Sequence, residues 1–216
     1  MSPRRYRMDQ RRQAVEATRA AIVAAAREEL LSGASGAGFS IDAVARRAGL
    51  ARMTLYNQFG SKTGLLEAVY DELAAQGGLT EFPSVMMRTD PLETLAGVVE
   101  IFCRFWTSDR ELFRRLFRHG VLDPAVSDSH RERNERRRQI ARVVVERLSL
   151  RYGPLDLERA EAADLLFTLT SFETYDGLAS EDRSVEAVAA LILHTVRAAF
   201  GVEPELRRAE RVGGRR

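Results

Sequence analysis

The chain has 216 residues, 45% hydrophobic and 30% charged, a globular balance that excludes collagen-like and disordered classes. Its single cysteine, Cys103, excludes an internal disulfide, and no run reaches the roughly 18 apolar residues of a membrane helix; no signal peptide is expected, and a cytoplasmic location follows as the default. Net charge is only +2, yet residues 1–62 hold 11 basic and 5 acidic side chains, so the N-terminal third is the part suited to a polyanion.

Ala, Leu, Arg and Glu make up 105 residues against six prolines, which predicts an all-α chain of about nine helices. The first is expected over 15–31, where Ala14, Thr18, Ala21, Ile22, Ala25 and Leu30 share a face. The Gly-rich stretch 32–38 ends it. That stretch lacks the GxGxxG order and any preceding strand, so it reads as an interhelical turn and not a nucleotide cradle. Ser40 is a natural N-cap for a two-turn helix over 41–48, with Asp42 in its first turn and Ile41, Val44, Ala45 and Ala48 at i, i+3, i+4, i+7. After the turn Gly49-Leu50-Ala51, Leu55 and Phe59 define the inner face of a second short helix over 52–59, and Gly60 stops it.

Two short helices joined by a Gly-containing turn and preceded by a longer one make a helix-turn-helix. The first braces the second, leaving the outer face of the second free for a major groove. That face carries Arg52, Met53, Thr54, Tyr56, Asn57 and Gln58. Arginine can pair bidentately with guanine, Asn or Gln with adenine, and Met or a Thr methyl can pack on a thymine methyl.

The run Phe39-Ser40-Ile41-Asp42-Ala43-Val44-Ala45-Arg46-Arg47-Ala48-Gly49-Leu50, then Thr54-Leu55-Tyr56-Asn57-Gln58-Phe59-Gly60-Ser61-Lys62 and Leu65-Leu66, resembles the DNA-binding domain of the tetracycline-repressor (TetR) family. The resemblance covers about 50 residues closely; the rest is similar only in being helical and variable. It implies that Tyr56 and Lys62 contact phosphates, that Ser40 touches the DNA backbone at a helix start, and that Arg52, Met53, Thr54 and Asn57 face bases, with Leu55 and Phe59 in the core. Many members have a small residue where Met53 stands, so the operator sequence does not carry over. The expected organisation is a basic flexible tail (1–13), a helix-turn-helix domain (14–62), a helical ligand-binding and dimerisation domain (63–203) and a charged tail (204–216). The arginines of the first tail, Arg4, Arg5, Arg7, Arg11 and Arg12, fit either added phosphate contacts or simple solubility.

Further helices are predicted over 61–76, 91–107, 110–119, 124–152, 157–177 and 181–200, with Asp-Pro pairs at 90–91 and 123–124 among the start signals. Arg131, Arg133, Arg136, Arg137 and Arg138, interleaved with Glu132 and Glu135, read as a solvated helix face with i, i+4 pairs. The last two helices are apolar on more than one side. Leu165, Leu169, Phe172, Val188, Ile192 and Val196 are expected to pack against the same pair in a second chain, forming an intersubunit four-helix bundle. The family arrangement then implies a homodimer with two recognition helices about 34–36 Å apart on a near-palindromic double-stranded DNA operator.

Phe102, Trp106 and Phe113 are the first candidates to line an inducer cavity, although an aromatic stripe at helical spacing also suits plain core. The resemblance implies that a bound small molecule shifts the two DNA-binding domains and releases the operator. An enzyme has no positive feature. His119, His130, His194 and Cys103 lack ligand spacing, so no metal or cofactor is expected, and Gly60-Ser61-Lys62-Thr63 lacks the glycines of a phosphate loop. The competing reading is a helix-turn-helix dimer with an architectural or protein-docking role and no small-molecule response.

Overall fold

A computed structural model describes residues 3–32, 39–120 and 124–202. The Gly-rich loop 33–38, the C-terminal tail 204–216 and the side chains of Arg4, Arg5, Arg7 and His119 lie outside the described residues. Among the described residues there are eleven α-helices and no strand: α1 (Pro3–Ser32), α2 (Ile41–Ala48), α3 (Arg52–Phe59), α4 (Lys62–Gln76), α5 (Phe82–Met86), α6 (Pro91–Ser108), α7 (Arg110–Gly120), α8 (Pro124–Tyr152), α9 (Arg159–Leu169), α10 (Phe172–Leu178) and α11 (Val185–Phe200), with a 3-10 turn at Leu79–Glu81. No helix among them is long and apolar enough to cross a membrane. The chain divides into two compact units, residues 1–73 with 111–131 and residues 74–110 with 132–216.

In the first unit, α1 begins at Pro3, well ahead of the expected start at 15. Proline suits a first helical turn, and the polar run Gln10-Arg11-Arg12-Gln13 is made of good helix formers that lack only an apolar stripe. Met8 and Val15 are exposed, so this extension adds no core contact through them. Burial starts at Ile22 and continues through Ala26 and Leu30, and Val44 of α2, Leu55 of α3 and Leu65, Leu66, Val69 and Leu73 of α4 are buried as well. Arg27 ties α1 to α4 through Glu72 at 3.2 Å, and Arg47 ties α2 to α1 through Glu28 at 3.3 Å and the buried Glu29 at 3.4 Å. The Tyr70 hydroxyl meets the imidazole of His130.

In the second unit α6 is the axis, buried at Leu95, Val98, Val99, Ile101, Phe102, Cys103, Phe105 and Trp106, and it packs mainly on α11. The single helix expected over 157–177 is two helices, and a short α5 stands where none was expected. The break between α9 and α10 has a local cause. Thr170 Oγ1 bonds back to the Leu166 carbonyl at 2.8 Å, while Ser171 caps α10 by accepting from the Thr174 amide at 3.2 Å. The Thr170 carbonyl, pointing out of the interrupted ladder, accepts the buried indole N–H of Trp106 at 2.9 Å. Arg110 then closes the far end of α10, donating to the carbonyls of Asp176 (2.7 Å) and Ala179 (2.9 Å) and pairing with the Asp176 carboxylate at 2.5 Å.

Candidate nucleic-acid interface

Ser40 has extended backbone geometry and its Oγ accepts from the Ala43 amide at 3.3 Å, so the residue expected at a helix start is the N-cap of α2. Gly49 ends α2 in the left-handed region, φ 66°, and the Leu50 amide closes onto the Ala45 carbonyl at 2.9 Å. A side chain at that φ is strained, which is why this tight turn takes glycine. The chain re-enters a helix at Arg52, and Leu55, almost fully buried, anchors α3 against α2.

Gly64 fixes the other end of α3. A Cβ built on it would stand 2.0 Å from the Phe59 carbonyl oxygen, so only glycine lets the start of α4 approach the end of α3 this closely. Ser61 caps that start by accepting from the Gly64 amide at 3.0 Å. This requirement leaves no mark in the apolar pattern, and the sequence reading missed it.

The outward face of α3 carries the side chains expected there. Arg52, Met53 and Asn57 are exposed, Met53 by 64%, while Thr54, Tyr56 and Gln58 are half-buried. Lys62 opens α4 with its ammonium 5.8 Å from the centre of the Phe39 ring. Phe59 was expected in the core, but it is only half-buried at the rim, where the guanidinium of Arg19 covers its ring at 4.5 Å and donates to the Gln58 carbonyl at 3.2 Å.

Arg52 is not a loose side chain. Its Nη1 pairs with Asp42 at 3.1 Å, its Nη2 donates to the Tyr56 hydroxyl at 3.1 Å, and its Cζ lies 5.4 Å from the centre of the Tyr56 ring. The Tyr56 hydrogen bond and the Asp42 charge hold the guanidinium above its ordinary pKa. Asp42 was read from sequence only as a helix-start acid. Its pairing across the turn is a three-dimensional fact that no spacing rule announces.

In the second unit Phe102 and Trp106 stack with centroids 6.4 Å apart at 17°, Phe82 packs on Phe102 at 5.1 Å, and Phe172 meets Trp106 edge-on at 5.6 Å. Phe113, the third cavity candidate, is fully buried and belongs to the first unit. Of the six residues expected at a dimer face, Phe172, Val188, Ile192 and Val196 are already buried within the single chain, whereas Leu165 and Leu169 are half-buried. The four buried side chains have almost no surface left to give to a second chain. On the same helices, Leu191 keeps 40% of its surface exposed.

Residues 22–69 match the model of the bacterial regulatory proteins of the tetR family. No curated protein matches the chain. Among solved structures, a TetR-like transcriptional regulator from Rhodococcus sp. RHA1 is 18% identical with a TM-score of 0.59, over 86% of this chain and 97% of that one. Salmonella enterica GusR is 18% identical at 0.60, over 85% and 95%. NalD, the secondary repressor of the MexAB-OprM multidrug efflux pump of Pseudomonas aeruginosa, is 20% identical at 0.60, over 87% and 97%. At these identities the likeness is one of fold, and it extends over both units.

Proposed function

We propose, from the premise that the chain is a TetR-family protein through its domain at residues 22–69, that it is a cytoplasmic, sequence-specific transcriptional repressor. It binds a near-palindromic operator as a homodimer and is released by a small-molecule inducer. The observation that carries this reading is the exposed face of α3. Arg52, Met53 and Asn57 stand outward on a helix that Leu55 and the Gly49 turn hold rigidly against α2. Arg52 and Asn57 present the donor and acceptor groups that distinguish base edges, and Thr54 and Met53 offer apolar contact to a thymine methyl. Tyr56, Lys62 and Ser40 supply phosphate and backbone contacts that set register. Phe102 and Trp106 are the residues proposed to respond to the inducer, and α9 and α11 supply the dimer face through Leu165 and Leu169, widened by Leu191.

The test is selection of duplexes from a random pool by the purified protein, followed by a salt series on the winning sequence. A two-fold symmetric site whose half-sites lie one helical turn or a multiple apart is expected. Enrichment of no sequence, with binding that depends only on salt, would overturn the reading.

A further inference from the structure

Arg137 of α8 differs from Arg136, Arg138 and Arg142 of the same helix: like Arg147, which donates to the Met86 and Arg88 carbonyls, it has no carboxylate partner among the described residues, but its own surroundings are aromatic. Arg138 pairs with Asp164 at 2.8 Å, Arg142 with Glu135 at 2.9 Å and Arg136 with Glu132 at 3.7 Å. Arg137 has no carboxylate within ion-pair distance among the described residues; Glu173 acts on it only at longer range. Its guanidinium is packed among aromatic rings, 4.6 Å from the centre of Phe167, 5.2 Å from Phe102 and 5.6 Å from Trp106. Only neutral oxygens receive its protons. Nη1 donates to Asn134 Oδ1 at 3.0 Å and Nη2 to the Phe167 carbonyl at 2.9 Å, while the buried Nε has no acceptor. Burial draws its pKa down to about 10, so it remains a cation at neutral pH.

A half-buried cation set among aromatic rings without a counter-ion is costly to hold, and an anion arriving from outside would supply the missing partner. We propose that Arg137 is the anion-recognising residue of the inducer site, and that the inducer carries a carboxylate beside an apolar or aromatic body. This rests on the reading of Phe102 and Trp106 as inducer residues. The carboxylate takes the guanidinium fork in place of the Asn134 and Phe167 oxygens, and the apolar body enters against the half-buried Phe167 ring, with the almost fully buried Phe102 and Trp106 rings behind it. The exchange is readable inside the fold. Phe167 lies in the last turn of α9, and its carbonyl retains a second donor, Thr170 Oγ1 at 3.3 Å, when Arg137 leaves it. Arg137 and the Trp106 indole both hold the carbonyl end of α9, so a ligand that occupies one changes the surroundings of the other.

Trp106 is the only tryptophan of the chain, so its emission reports the site directly. The full-length protein is titrated with benzoate, phenylacetate and octanoate, and with benzamide, phenylacetamide and octanamide, the same bodies without the charge. The expected result is a saturable emission change with an acid and at least about tenfold weaker response to its amide, the loss expected when a charge-assisted bidentate contact is removed. Arg137→Gln abolishes the acid preference, Arg137→Lys restores part of it, and Arg138→Gln leaves it intact. Equal titration by acid and amide, an acid preference that survives in Arg137→Gln, or no saturable response to any of the three acids overturns the proposal. The acid-amide comparison on the unaltered protein decides even if Arg137→Gln does not fold. Operator release followed in the same samples separates the two readings. Amides that bind and release DNA remove the anion assignment and leave the inducer, whereas acids that bind without moving DNA keep the anion site and remove the inducer role.

Discussion

The guanidinium of Arg52 joins α2 to α3 through Asp42 while lying against Tyr56, and both charges of the pair are more than half exposed. Exposed pairs add little stability, so the importance of this one lies in its charge and geometry. Substituting Arg52→Ala is expected to cost about 1–3 kcal/mol at one base position and to relax discrimination there, whereas Lys62→Ala weakens every duplex alike and flattens the salt slope by about one unit. Asp42→Asn should do the reverse on a random-sequence duplex, tightening binding and steepening the slope by about one unit, because Arg52 then faces phosphate without its neutralising partner. Fluorescence anisotropy across a salt series reads all three. Cys103 offers a separate check. Burial among the side chains of α6 pushes its thiol up to about 12, so it should resist a thiol reagent in the folded protein and react at once in denaturant.

Among the elements, α2 and α3 were legible to the residue, because Ser40, Gly49 and Gly60 mark their ends and Val44, Ala45 and Leu55 mark their inner faces. Other elements hid for identifiable reasons. The polar start of α1 carries no apolar stripe, so periodicity began counting too late. The split at Thr170 and Ser171 is set by side-chain-to-backbone bonds that leave the apolar spacing of Leu165, Leu166, Leu169 and Phe172 uninterrupted. Arg137 looked like one member of a solvated arginine face, and only packing distinguishes it from Arg136 and Arg138. Two substitutions weigh these element-level effects by urea midpoint. Gly64→Ala drives a methyl into the Phe59 carbonyl and should destabilise by about 1–3 kcal/mol. Ser171→Ala, which loses only a cap, should cost about 1 kcal/mol.

For the whole molecule, the burial of α11 separates folding from association. Val188, Ile192 and Val196 already belong to the protomer, so Ile192→Ala should lower unfolding stability by about 2–5 kcal/mol without changing how the protein dissociates on dilution. Leu169→Arg, at a half-buried position of α9, should instead shift light-scattering mass toward the monomer and weaken operator binding, with the unfolding midpoint of the monomer little changed. The Asp42–Arg52 pair also bears on time. A regulator must inspect a great many wrong sites before it finds its own, and each stop lasts as long as unspecific attraction holds it. On the proposed reading, a counter-ion carried beside the reading side chain would shorten every such stop, and the full pull of the guanidinium would be released only where a base edge takes the carboxylate's place.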